Sequence, residues 1–191
     1  MKKILFIDAC MRGEESRTRK ICEKLIESRM EKEDYQLQTV KLEKEKIIAL
    51  DCEALNYRTR LIEANSFSDE IFDYARQFAS ADLIVVGAPY WDLSFPAVLK
   101  NYFEAVSVCG MAFSYGPDGV PYGLCQAEKL FYVTTAGGFI GSLNFGYDYI
   151  AGLCGLYGIK EVEQIKAEGL DIEGFDIQTI LNQAFNQVVT A

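Results

Sequence analysis

Short solid runs of aliphatic and aromatic residues alternate along the chain with stretches whose apolar residues recur every three or four positions, and this alternation restricts the fold more than any other feature. Lys3–Asp8 reads as a strand, and Ile21, Cys22, Leu25, Ile26 and Met30 form the buried stripe of a helix. The cycle returns as Tyr35–Leu42 (strand), Ile71 to Ala79 (helix), Leu83–Gly87 (strand) and Val98 to Val106 (helix). Leu130–Thr134 follows as a strand, Tyr149 to Tyr157 as a helix, Ile159–Ala167 as the fifth strand and Ile177 to Val188 as a closing amphipathic helix. Five strand–helix units in succession argue for an α/β protein whose parallel sheet carries helices on both faces.

Strand patterning then fixes the order. A central parallel strand is buried on both faces and reads as a continuous apolar run, whereas an edge strand is interrupted by polar residues. The first, third and fourth strands are solid; the second, with Gln36 and Gln38, and the fifth, with Glu161, Glu163, Gln164 and Lys166, are not. An order 2-1-3-4-5 satisfies this, and a six-stranded Rossmann sheet with its G-x-G-x-x-G turn does not. Ser66 is placed to cap the second helix and Pro96 to occupy the first turn of the third. The long connection from Lys44 to Asn65 is expected to hold a short helical piece near the ligand site.

At 191 residues, half of them hydrophobic, the chain suits a single domain spanning 1–191 with a full core. A net charge of −9 opposes a nucleic-acid partner. No run approaches the roughly 18 uninterrupted apolar residues of a membrane span, so no membrane insertion is expected. The six cysteines lack C-x-x-C or metal spacing, which suggests free thiols, a cytoplasmic setting and no metal. Histidine is absent, so a Ser/His or Cys/His triad is excluded and harder chemistry would fall to a bound cofactor.

In an open sheet of this order, ligands bind beyond the carboxyl ends of the strands, where the winding reverses between strands one and three. Three loops meet there: Ala9–Thr18, Ala88–Pro96 and Thr134–Gly141. The first ends in Ser16, Arg17 and Thr18 at the start of a helix; Ser16 either caps that helix or helps its free N–H groups hold a phosphate dianion. Arg12, Arg17, Arg19 and Lys20, opposed there only by Glu14 and Glu15, favour the anion. The second loop sets Tyr90, Trp91 and Phe95 after a buried strand, as a rest for a flat aromatic ligand or as a bend packed on its own core. The third offers Gly137 and Gly138, whose N–H groups can approach a ligand closely.

The segment Gly87-Ala88-Pro89-Tyr90-Trp91-Asp92-Leu93-Ser94-Phe95-Pro96-Ala97-Val98-Leu99-Lys100-Asn101-Tyr102-Phe103-Glu104 resembles the P-x-Y-N-F-x-x-P-x-x-L-K-x-Y-x-D motif of FMN-dependent azoreductases and NAD(P)H quinone reductases. Thr134-Thr135-Ala136-Gly137-Gly138 is similar to the T-S/T-x-G-G loop of that flavodoxin-like superfamily. Gly110-Met111-Ala112-Phe113-Ser114-Tyr115, with Gly119 and Gly123-Leu124, resembles its hairpin before the fourth strand. The resemblance implies a flavodoxin-like fold, tightly bound but non-covalent FMN, NAD(P)H as co-substrate and a homodimer. It implies that Cys10, Arg12, Ser16, Arg17 and Thr18 hold the phosphate and that Pro89, Tyr90, Trp91, Asp92 and Leu93 flank the ring. Thr134, Thr135, Ala136, Gly137 and Gly138 would meet its pyrimidine edge. Phe113, Tyr122 and Phe139 are the candidates for lining the acceptor pocket, the alternative being local packing of the hairpin. Two residues depart from the pattern: Cys10 replaces a serine near the phosphate, and Asp92 replaces an asparagine whose neutral amide contacts the ring.

The expected activity is a ping-pong cycle that moves two electrons from NAD(P)H to quinone, azo or nitroaromatic acceptors, with flavin N5 carrying the chemistry and no catalytic side chain. The competing readings are an electron-transfer carrier of flavodoxin type, a general NAD(P)H:FMN reductase and a flavin-free binding protein.

Overall fold

The computed structural model of the protein describes residues 1–47 and 49–190. Its elements, in chain order, are β1 (Lys2–Asp8), α1 (Arg17–Lys32), β2 (Tyr35–Lys41), α2 (Cys52–Glu63), α3 (Asp73–Ala79) and β3 (Leu83–Gly87). They continue with α4 (Ala97–Val106), β4 (Phe113–Tyr115), β5 (Pro121–Gly123), β6 (Lys129–Thr135), α5 (Phe145–Tyr157), β7 (Glu161–Ala167) and α6 (Ile177–Thr190).

Five strands form one parallel sheet in the order β2-β1-β3-β6-β7, the arrangement expected from which strands are solid and which are interrupted. Side chains of the inner strands alternate between two cores. Ile4, Phe6, Val85, Phe131 and Val133 face Ile21, Cys22 and Leu25 of α1 and Ala184 and Val188 of α6. Leu5, Ile7, Ile84, Val86 and Tyr132 face Phe78 of α3, Leu99, Tyr102 and Phe103 of α4 and Ile150, Cys154 and Tyr157 of α5. Burial on both faces is why these runs lack polar residues, and each large side chain placed there contributes about 1.5–3 kcal/mol. No helix among the described residues is long and apolar enough to cross a membrane.

Three local expectations change. Ser66 does not cap the second helix; Asp69 accepts the Ile71 N–H (3.1 Å) at the head of a single 3-10 turn, Glu70–Phe72, that runs into α3. Aspartate caps with a carboxylate, and its position one residue before the turn is better matched than that of Ser66. Pro96 stands at the N-cap of α4, one position ahead of its first turn. The helix in the 44–65 connection exists as α2, capped by Asp51 onto the Ala54 N–H (2.8 Å), but it does not lie at the ligand site. Its Leu61 and Ile62 instead cover Phe72, Ala75 and Val108, and Arg58 donates to the Glu104 carbonyl at the end of α4 (2.9 Å).

The antiparallel hairpin β4–β5 presses against the end of α5 with no side chain between them. A Cβ on Gly123 would lie 2.0 Å from both the Gly158 nitrogen and the Tyr157 carbonyl carbon. The Cys125 N–H donates to the Tyr157 carbonyl (3.2 Å), and Gly158, at φ +81°, ends the helix in the left-handed region that glycine enters freely.

Candidate functional site

The register sets Asp8 beside Gly87 and Gly87 beside Val133, so the loops after β1, β3 and β6 emerge together where the winding reverses. They enclose a cleft of about 280 Å³. Its walls are Met11, Arg12 and Glu15–Thr18 from the first loop, Pro89–Trp91 from the second, Thr135–Gly137 from the third, and Leu170 and Asp171 from the loop after β7.

At the amino end of α1, Ser16 caps the helix: its hydroxyl oxygen accepts the Arg19 N–H (3.2 Å), and its carbonyl accepts the Lys20 N–H (3.2 Å). The Arg17 and Thr18 amides are left as the ones the helix cannot satisfy itself. The Ser16 hydroxyl hydrogen is not consumed by capping, so capping and anion binding are compatible at this residue. Thr18, almost fully buried, shares a hydrogen bond with Thr135 (2.7 Å) that ties α1 to the end of β6.

The basic cluster divides in space. Arg19 is 5% exposed and is committed to Asp8 (3.4 Å), Glu14 (3.1 Å) and Glu23 (3.1 Å), so it stabilises the β1–α1 junction and does not line the cleft. Arg17 does line it and donates to Asp171 (2.9 Å) and to the Leu170 carbonyl (3.3 Å). Arg12 lines it and is exposed, whereas Lys20 is exposed outside it. Cys10 lies beneath the cleft, 2% exposed, with its N–H on Asp8 (3.0 Å) and its sulfur on the Gly87 carbonyl (3.5 Å). Burial, reinforced by Asp8, raises its thiol pKa. Cys22 is raised for the same first reason. The two sulfurs close on the face of Gly87, where a Cβ would stand 2.6 Å from that of Cys22 and 3.4 Å from that of Cys10.

In the second loop, the Tyr90 N–H donates to the Thr135 carbonyl (2.9 Å) and its hydroxyl to the Leu143 carbonyl (2.8 Å), so the wall is fixed at both ends. Trp91 stands on the rim, 45% exposed. Asp92 and Leu93 fall outside the cleft lining. They are the central residues of a tight turn closed by reciprocal Trp91–Ser94 backbone bonds (3.2 and 2.8 Å), with φ of +49° and +66°. A two-residue turn of this hand needs positive φ at both positions, which asparagine and glycine supply more cheaply than leucine.

In the third loop, Thr135, Ala136 and Gly137 line the cleft, Thr134 is fully buried below it, and Gly138 is exposed beside it. The Gly137 and Gly138 carbonyls accept from Asp171 and Gly169 (both 3.0 Å). Among the described residues neither of their N–H groups meets a protein acceptor. A Cβ on Gly137 would lie 2.5 Å from an Asp171 carboxylate oxygen, so the exposed Asp171 side chain would have to swing aside; at Gly138 the same space is open. Phe113, Tyr122 and Phe139 are not brought to the cleft. Phe113 packs on the α4–α5 core, Tyr122 is exposed on the hairpin, and Phe139, 68% exposed, meets Phe175 edge-on (6.0 Å).

Met11 and Glu15, which lie within the first loop but are not singled out as site residues by the sequence reading, and Leu170 and Asp171, from a loop which that reading does not assign to the site, complete the cleft. The available signal was the rule of strand ends itself, which applies equally to the loop after the fifth strand.

A family model described as Flavodoxin-like fold matches residues 2–190. An FMN-dependent NADH:quinone oxidoreductase of Clostridium perfringens is 34% identical to this chain, over 100% of it and 98% of the relative. One from Clostridium beijerinckii is 36% identical, over 98% of this chain and 96% of the relative. Among solved structures, an azoreductase from Bacillus anthracis superposes with a TM-score of 0.87 at 24% identity, covering 100% of this chain and 98% of the other, a likeness of fold.

Proposed function

The chain belongs to the flavodoxin-like family of FMN-dependent NADH:quinone oxidoreductases, and from that membership and its cleft we propose that it binds FMN and passes electron pairs from NADH to quinone or azo acceptors. The observation that carries the reading is the joining, in one cleft at the sheet's reversal point, of an anion-binding helix end with an aromatic rim and a glycine loop.

The donor set suits the cofactor. The Arg17 and Thr18 amides, the Ser16 hydroxyl and the Arg12 and Arg17 guanidiniums offer charge-assisted and dipolar hydrogen bonds to a phosphate dianion. The donors gather at the Arg12–Thr18 end of the cleft, where a phosphate would be held, and Trp91 and Gly137 line it as surfaces a flat ring could use. FMN held by these groups would supply the two-electron redox chemistry. Pro89, Tyr90 and Trp91 provide the stacking wall, and the free N–H groups of Gly137 and Gly138 stabilise negative charge on a ring placed beside them.

With one open rim, both substrates use the same face in turn, which makes the kinetics ping-pong and admits nitroaromatic as well as quinone and azo acceptors. The chain acts as a homodimer in the cytoplasm. Pairing is supported by exposed apolar side chains near the cleft, among them Trp91, Leu93, Phe139, Leu143 and Phe145, which a second copy would cover. The test is an anaerobic titration of purified protein with FMN, then NADH, then a soluble benzoquinone. The expected result is one flavin per chain, bleached by NADH and restored by quinone, with parallel double-reciprocal plots. Failure to take up FMN refutes the reading.

A further inference from the structure

The proposed phosphate site contains a carboxylate that the reading above does not use. Asp171 is held in the cleft wall by backbone bonds: its N–H donates to the Gly137 carbonyl (3.0 Å), and Leu170 N–H donates to Ala136 (3.2 Å). Its backbone position therefore does not depend on the ion pair with Arg17, and its carboxylate lies over Gly137, 2.5 Å from where a Cβ on that residue would stand.

The ion pair is a single contact. Arg17 uses one nitrogen, Nη1, for both Asp171 (2.9 Å) and the Leu170 carbonyl (3.3 Å), and the side chains are 36% and 72% exposed. Such an exposed pair is weak, and a phosphate dianion at the start of α1 would either draw Nη1 away from Asp171 or bind the rest of the fork beside that carboxylate's charge. The competition has a cost that an unphosphorylated ligand does not meet, because the ligand must share Arg17 with a fixed anion and remain near that anion's charge.

We infer that Asp171 is a specificity-determining residue that sets how strongly the cleft distinguishes a phosphorylated flavin from an unphosphorylated one, by competing with the ligand phosphate for Arg17. The inference rests on the FMN reading. It makes phosphate binding weaker than the cluster of basic residues would give alone.

The test measures FMN and riboflavin affinity by flavin fluorescence for the wild type, Asp171→Asn, Arg17→Gln and the double variant, with urea midpoints to confirm folding. Asp171→Asn should tighten FMN binding about three- to tenfold, the effect of one exposed charge on a neighbouring dianion. Riboflavin binding should stay within about twofold, and most of the gain should vanish in the Arg17→Gln background. Equal tightening of both ligands, or unchanged or weaker FMN binding in Asp171→Asn, overturns the inference while leaving the FMN reading intact. A wild type that binds neither ligand overturns both.

Discussion

Replacing Gly123 by alanine should unseat the hairpin from α5. The added Cβ would meet the Gly158 nitrogen and the Tyr157 carbonyl carbon at 2.0 Å, and the Tyr157 oxygen at 2.1 Å. All three are backbone atoms, so no rotamer relieves the overlap, and the strand must retreat by more than 1 Å to reach ordinary contact at about 3.4 Å. That movement opens the bond from Cys125 N–H to Tyr157 carbonyl, now 3.2 Å, at about 0.5–1.5 kcal/mol, and adds overpacking strain of about 1–3 kcal/mol. The expected destabilisation is about 2–4 kcal/mol, read as a fall of about 1 M or more in the urea midpoint and as loss of hydrogen-exchange protection at Cys125. Gly152→Ala supplies the control: it lies inside α5, its Cβ would touch nothing within 4 Å, and the change should stabilise by about 0.5–1 kcal/mol. A Gly123→Ala midpoint within about 0.2 M of the wild type, with Cys125 still protected, would refute the backbone contact.

Asp8→Ala should cost about 2–3 kcal/mol by urea titration, because it removes a partner of buried Arg19 and strips the Cys10 N–H of its acceptor, while Glu14 and Glu23 limit the loss. Trp91→Ala should change stability by no more than about 0.5–1 kcal/mol, since nearly half of the ring is exposed, yet weaken FMN binding about tenfold in a fluorescence titration. Alkaline stability should decline early: burial pushes the Cys125 and Cys154 thiols from 9.0 to about 12 and Tyr132 from 10.0 to about 12. The unfolded chain gives up these protons first, so the stability they supply is complete below about pH 9 and is lost progressively between pH 9 and 12, which urea midpoints across that range would record.

The sheet was legible because burial on two faces leaves a direct mark: Ile4 to Ile7 and Leu83 to Val86 cannot carry a polar residue, whereas Gln36 and Glu163 at the edges can. The cleft was legible in outline because the strand order fixes which loops converge. Spatial partnership was less readable. Arg17 and Arg19 are two residues apart, yet one lines the cleft and the other is buried against Asp8, a difference set by helix phase and by packing against β1. Asp171 was hidden because it follows a polar edge strand and reaches the cleft through backbone bonds to residues 136 and 137, contacts that leave no pattern in side-chain type. Asp92 and Leu93 read as part of an aromatic strip, but their left-handed conformations turn that segment outward after Trp91.

The sulfurs of Cys10 and Cys22 both close on Gly87, at the strand end from which the second cleft loop departs, in a space too tight for a methyl group. Adding even one oxygen to either sulfur would therefore push on the strand junction from below. Protection comes from protonation: burial keeps both thiols from ionising, and peroxide attacks the thiolate far faster than the thiol. The same burial that packs the junction thus keeps both sulfurs in their less reactive, protonated form.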